Sequence, residues 1–262
     1  MSATYPAGVV NIYGETLALS TTLASLGMVG QETKQAIIYN PNNDFRMHIN
    51  PAMLAALFYD ASATKGARYK NLSVVLQDRK ATGSTTIMDS RAAGDRFYLC
   101  FSDIVGGVYV DIASVNGNAS VLTVNYWNGA AWTDITDTDN TASGGASFAQ
   151  DGTITWTAPT DWVAASYGGR NNQAISRVLG TAYAEDEPVT HGFWLQFVWT
   201  LTFDSDTEVA NIWALNKNTN RGYFRGGVEY AMSFDRRLTG AIEAVLASST
   251  DTLEITWLRT II

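Results

Sequence analysis

The chain holds one cysteine, two histidines and five prolines in 262 residues, and each scarcity removes a class of explanation. A single thiol, Cys100, cannot build a disulfide framework within the chain. Between Phe97 and Phe101 it reads as a small buried hydrophobe rather than a nucleophile. His48 and His191 are far apart, and neither lies in a metal-spaced pair, so no zinc pattern exists. No glycine-flanked serine elbow, Walker glycine loop or dinucleotide fingerprint is present. No apolar run approaches the roughly 18 residues of a membrane span, and no basic-then-apolar leader opens the chain. The expectation is a soluble protein made in a reducing cytoplasm, with no membrane partner and no cofactor.

Bases are scarce in the middle. From Asp95 to Leu215 there are 14 acids against Arg96, Arg170 and Arg177, a net of −11, whereas the two flanks together carry +3. An acidic centre repels nucleic acid, which excludes that partner class. The flanks are the expected docking surface for something acidic.

What the chain does have is aromatic and apolar mass, 11% and 46% of residues, enough for a core. The stretch Phe193–Phe203 places Phe193, Leu195, Phe197, Trp199, Leu201 and Phe203 at every second position. A period of two is the mark of a strand with one face buried. Six large side chains on one strand need facing strands to cover them. The predicted fold is therefore mainly β, an antiparallel β-sandwich of jelly-roll-like type with an extended N-terminal arm and few short helices.

Along the chain, residues 1–68 read as that arm plus one short helix. Leu17, Leu19 and Leu23 fit no single period and are candidates for contact with a neighbour. Asn50-Pro51 offers a cap followed by proline, which predicts a helix over 51–59. Residues 69–215 read as the sandwich, with strands over 72–77, 96–101, 107–113, 120–127 and 152–157. Asn128-Gly129 is read as a tight two-residue hairpin with positive φ at both positions. Residues 216–262 read as strands that pack back on the sandwich or on a neighbour. The thirty residues between Trp162 and Phe193 show no strand pattern, and loops this long are commonly functional. Their polar members Arg170, Asn171, Asn172, Arg177, Glu185, Asp186 and Glu187 are candidate interaction residues.

Two carboxylate groups suit calcium by residue type: Asp134, Asp137 and Asp139, and then Asp204, Asp206 and Glu208. Neither has the glycine and terminal glutamate of the twelve-residue calcium loop, and a solvated acidic turn explains both. The aromatics also invite a glycan-stacking reading, centred on Trp127 and Trp132. Most of these rings lie on strands with apolar neighbours, so core packing is favoured. No acid/base pair can be singled out for catalysis.

Four segments follow in an order that resembles a β-sandwich module of tailed-bacteriophage virion proteins. They are Tyr126–Trp132 (YWNGxxW), Gln150–Trp156 with Pro159–Trp162 (DGTxxW…PxDW), Gly192–Leu195 (GxWL), and Asp95–Phe101 as the opening strand. The match covers Asp95–Phe203. It departs at Gln196, where the pattern has a basic residue, and at the insert before His191. The resemblance implies a structural virion component: a capsid decoration or cement protein, homo-oligomeric and in contact with other virion proteins. A tail, baseplate or fibre-attachment component is the nearest alternative, and a carbohydrate-binding adhesion module the next. In this reading the flanks 1–94 and 216–262 meet the shell and sister subunits, and the 163–191 loop meets a neighbour.

Overall fold

The structure is a computed structural model and describes residues 9–18, 24–28, 33–64, 69–73, 75–77, 86–88, 91–167, 190–217, 222–233, 239–246 and 252–260. It is mainly β, built from antiparallel sheets, and among the described residues the only helical turn is a 3₁₀ turn at Val75–Gln77. The chain divides into two compact units: residues 51–217 form one, and residues 1–50 together with 218–262 form the other.

The unit made from both chain ends holds β1 (Val9–Ala18), β2 (Ala24–Met28), β3 (Thr33–Tyr39) and β4 (Phe45–Pro51). The inserted unit holds β5 (Met53–Tyr59), β6 (Tyr69–Asn71), β7 (Thr86–Ile87), β8 (Arg96–Phe101), β9 (Val105–Ser114), β10 (Leu122–Trp127) and β11 (Trp132–Ile135). It continues through β12 (Asp137–Asp139), β13 (Gly152–Trp156), β14 (Ala165–Tyr167), β15 (Thr190–Trp199) and β16 (Glu208–Asn216). Back in the first unit come β17 (Gly222–Phe224), β18 (Glu229–Ser233), β19 (Thr239–Leu246) and β20 (Thr252–Thr260).

In the terminal unit the sheets run β1-β20-β3-β18 and β17-β4-β19-β2. The N-terminal segment is thus a paired strand, with Tyr13 opposite Trp257 and Leu17 opposite Leu253. The turn at Asn40–Asn43 is tied by the Asn40 carboxamide, which accepts from the amides of Asn42 and Asn43. A second turn seats against it: Gly227 N–H donates to the Asn40 carbonyl at 2.7 Å. A Cβ at Gly226 would lie 2.6 Å from the Asn43 backbone, so only glycine fits there. Phe45, Phe224 and Tyr230 pack ring on ring beside these turns.

The inserted unit is a sandwich of two sheets. One runs β11-β10-β15-β8-β5-β6 with β14 added on β15; the other runs β12-β13-β9-β16-β7. The chain changes sheet at β6–β7, β7–β8, β8–β9, β9–β10, β11–β12, β13–β14 and β15–β16, within the antiparallel sandwich expected. Between the sheets lies one apolar core, in which Phe58, Phe97, Leu99, Val124, Leu195, Phe197 and Trp199 face Val108, Val110, Ile154, Trp156, Ile212 and Ala214. Removing a side chain of this size from water is worth about 1.5–3 kcal/mol, so the set dominates the unit's stability.

Several expectations need correction. The segment 51–59 is no helix: β5 runs over Met53–Tyr59 between β8 and β6, with residues of both its faces buried. Asn50, expected at a helix start, lies instead in β4, ahead of a strand. The 72–77 strand is replaced by the 3₁₀ turn, whose Leu76 plugs the core. The hairpin after Trp127 closes four residues, not two: Trp127 pairs with Trp132, and of the turn only Gly129 has positive φ, at 95°. The Asn128 carboxamide accepts from the amides of Ala130 and Ala131 and does the work assigned to a second positive φ. β15 ends at Trp199, leaving Leu201 exposed while Phe203 returns to the core.

The charge asymmetry also moves. The terminal unit carries 8 acids and 7 bases, close to neutral, and the inserted unit carries 17 acids and 10 bases. The basic surplus assigned to the flanks comes from residues 51–94, which belong to the sandwich unit.

Candidate functional site

The signature segments fall on both sheets: β8, β10, β11 and β15 belong to the larger one, whereas Gly152–Trp156 is β13 of the smaller one. Register sorts their residues: Tyr126 faces Leu195 and Thr133 on the core side, while Trp127 faces Trp132 on the other. The Tyr126 hydroxyl donates to the Asp161 carboxylate at 2.7 Å, and the Trp162 ring lies 6.0 Å from the Tyr126 ring and 6.1 Å from that of Phe193. Val163 N–H donates to the Trp127 carbonyl, locking the Pro159–Trp162 turn onto the hairpin. Two indoles of the set spend their N–H groups on backbone: Trp156 donates to the Val105 carbonyl and Trp194 to that of Ala165, each at 3.0 Å. These residues act as braces of the sandwich.

The outer face of the larger sheet carries a second apolar cluster of Ala55, Leu57, Tyr98, Cys100, Trp127 and Trp194, all buried. A polar row crosses it: Asn125 donates to Gln196, which donates to the Tyr98 hydroxyl, each at 3.2 Å. Burial raises the Tyr98 phenol above its ordinary value, against the pull of the Gln196 bond. Gln196, the departure from the phage pattern, therefore holds the centre of this row. Trp127 is only 8% exposed and meets Trp132 at 62°, so the two candidate stacking rings form no coplanar, solvent-facing platform. Trp132 lies half-buried against Tyr98.

The first carboxylate group is divided between sheets. Asp134 is exposed on β11, while Asp137 and Asp139 lie on β12 in the other sheet. Asp139 accepts from the backbone N–H and the hydroxyl of Thr141. Asp137 stands opposite the core residue Trp156. Partial burial, then the neighbouring charges of Asp139 and Asp134, push its carboxyl up to about 6. In the second group Asp204 accepts from Gly117 N–H and from the Thr207 hydroxyl. Burial raises its carboxyl, but these bonds and those from Asp206 outweigh it and leave the group below the usual carboxylate range. Among the described residues no three His, Cys, Asp or Glu side chains converge on a metal position.

Both histidines are on strands. His191 on β15 stands opposite Ser166 on β14, and the serine hydroxyl lies 2.6 Å from Nδ1. Among the described residues no carboxylate bonds the ring's other nitrogen, so the pair lacks the orienting acid of a serine nucleophile. Cys100 is fully buried, and desolvation pushes its thiol well up, as an unreactive core residue requires.

Leu17 pairs in β1, whereas Leu19 and Leu23 lie outside the described residues. So do Arg170, Asn171, Asn172, Arg177, Glu185, Asp186 and Glu187. A surface that sequence reading missed lies on the outer face of the smaller sheet. Tyr109 and Trp213, directly opposite in register, stack at 4.4 Å and 15°, both partly exposed. Their proximity follows from β9–β16 pairing across about a hundred residues and leaves no local signal.

Compared with known proteins, the chain matches no family model, no curated protein and no solved structure.

Proposed function

We propose that this chain is a non-enzymatic structural subunit of a tailed-bacteriophage virion, a capsid decoration or cement protein acting as a homo-oligomer. Attachment falls to the unit woven from both chain ends, and the acidic sandwich is the part displayed. The observation that carries the reading is that the segments resembling the phage module serve as internal braces of one sandwich. Tyr126, Trp127, Trp156, Trp162 and Trp194 are all spent on packing and on hydrogen bonds within the unit. Signature residues buried on either face of the larger sheet or between the sheets serve the module's shape rather than a ligand site, which suits a building block.

The second support is the pairing of β1 with β20, which joins strands from both flanks in a unit of nearly balanced charge, whereas the sandwich unit carries net −7. Balanced charge lowers the repulsion between copies and between subunit and shell. Multivalent display then adds affinity without stronger single contacts. Quantitative mass spectrometry of purified particles tests the proposal. A copy number near that of the shell protein is expected. A handful of copies per particle identifies a tail or baseplate component instead, and absence from the particle overturns the reading.

A further inference from the structure

We propose that the outer face of the smaller sheet, at Tyr109, Asp111, Asn211 and Trp213, binds an arginine side chain presented by a partner protein. The inference stands on this surface alone and not on the virion reading. In register Tyr109 faces Trp213 and Asp111 faces Asn211, so the four side chains form a square on one side of β9 and β16. Their intervening neighbours Val108, Val110, Ile212 and Ala214 point into the core, which fixes the square on the outer side.

The square holds two acceptors, the Asp111 carboxylate and Asn211 Oδ1, beside the Trp213 indole N–H, a donor, and the Tyr109 hydroxyl, which can do either. Asn211 is 7% exposed, and its Nδ2 donates to the Asp111 carboxylate at 3.3 Å. That bond settles the amide's orientation, because the reverse would set oxygen against carboxylate. It leaves Asn211 Oδ1 buried with no hydrogen-bond partner. A buried acceptor without a donor costs free energy, and a ligand that brings N–H groups relieves it. Asp151 adds a second carboxylate: its Oδ1 accepts from the Ile112 amide on the same strand. The Tyr109 phenol is raised by burial first and then by the charges of Asp151 and Asp111, which places the ring in a negative field.

The charge of the whole sheet points the same way. β7, β9, β12, β13 and β16 contain no lysine or arginine, but they carry Asp111, Asp137, Asp139 and Glu208. A stacked, partly exposed aromatic pair beside acceptors and without bases is complementary to a cation over a ring face. Arginine fits better than lysine, since its planar fork lies flat on an indole while reaching two acceptors at once. A sugar fits less well. It carries no positive charge to answer the carboxylates of Asp111 and Asp151, and the Asn211 amide N–H is already directed at Asp111.

The test titrates the full chain at low salt with a blocked Arg-Gly-Arg peptide, its lysine analogue and its neutral citrulline analogue, followed by calorimetry. The arginine peptide is expected to bind with a Kd on the order of 1 mM or tighter. The lysine form should bind more weakly and the citrulline form not at all. Asp111→Asn should weaken arginine-peptide binding roughly tenfold, while Asp134→Asn, the same charge change on the other sheet, should leave it unchanged. Trp213→Leu should weaken it as well; if that variant fails to fold, Asp111→Asn decides. Equal binding of the citrulline peptide, or full binding by Asp111→Asn, overturns the proposal. So does binding of a neutral hexasaccharide that is lost in the Asp111 variant while the arginine peptide does not bind.

Discussion

Replacing Asp137 by asparagine should change the shape of the stability–pH curve, and the structure supplies the sign and scale. Asp137 lies on the edge strand β12 but faces the same side as the core indole of Trp156. Burial, then Asp139 and Asp134, raise its carboxyl from 3.8 to about 6. The folded state therefore binds a proton between these two values that the unfolded state has already released. Stability is fully present below about pH 4 and falls as pH rises through about 6, the reverse of a salt-bridged aspartate. A shift of that size corresponds to about 3 kcal/mol at face value. The carboxyl is only half-buried, so solvent screening reduces the effect to on the order of 1–1.5 kcal/mol. Urea denaturation at pH 3 and 7.5 measures it. Asp137→Asn should be more stable than the parent by that amount at pH 7.5 and nearly equal to it at pH 3, below both carboxyl values. Asp139→Asn should move the parent's transition to lower pH. If parent and Asp137→Asn lose stability in parallel between these pH values, the carboxyl is not strained by its site and the reasoning fails.

Other outcomes follow from close packing. Gly192→Ala would put a Cβ 2.4 Å from the Phe101 carbonyl oxygen and 2.7 Å from Cys100 Sγ, and should cost about 3 kcal/mol in chemical denaturation. Gly144→Ala, with open space around it but φ of 60°, should cost only about 1 kcal/mol. The Cys100 thiol should react with an aromatic disulfide reagent only as fast as the protein unfolds; rapid stoichiometric labelling of the folded protein would contradict its burial. Deleting residues 1–30 removes β1 and β2, an edge strand from each sheet of the terminal unit, and no strand of the sandwich. The truncated chain should keep the sandwich's near-ultraviolet tryptophan signal and lose particle attachment; retained attachment would refute the role given to the chain ends.

The long strand was legible because β15 carries a period of two with large rings on one face. Its other face was not, since Trp194, Gln196 and Val198 look like a mixed solvent side. Trp194 and Gln196 are buried because β8, β5 and β10 bring Cys100, Tyr98, Leu57 and Trp127 into the same layer, while Val198 stays partly exposed. The β5 segment was misread for a related reason. Met53, Leu54, Ala55, Ala56 and Leu57 are good helix formers by propensity, and Asn50-Pro51 mimics a helix start. Burial on both faces between β8 and β6 outweighs a propensity worth tenths of a kcal/mol per residue.

The same comparison explains why the candidate residues moved. Sequence reading can count tryptophans and note their spacing, and it therefore nominated Trp127 and Trp132, five residues apart and visibly paired. What decides whether a ring meets solvent is the register of strands distant in the chain. Trp132 turns toward Tyr98 because β11 pairs with β10, and β10 reaches β8 only through β15. Trp213, in an ordinary alternating strand, is left partly exposed because its opposite neighbour is Tyr109 rather than a covering layer. A cluster of like residues in sequence is thus a guide to the core, where bulk must be gathered. A surface that recognises a partner is assembled from single residues on separate strands. The acceptor-rich square on β9 and β16 has that form: each member is unremarkable in sequence, and the chemistry exists only once the register has been set.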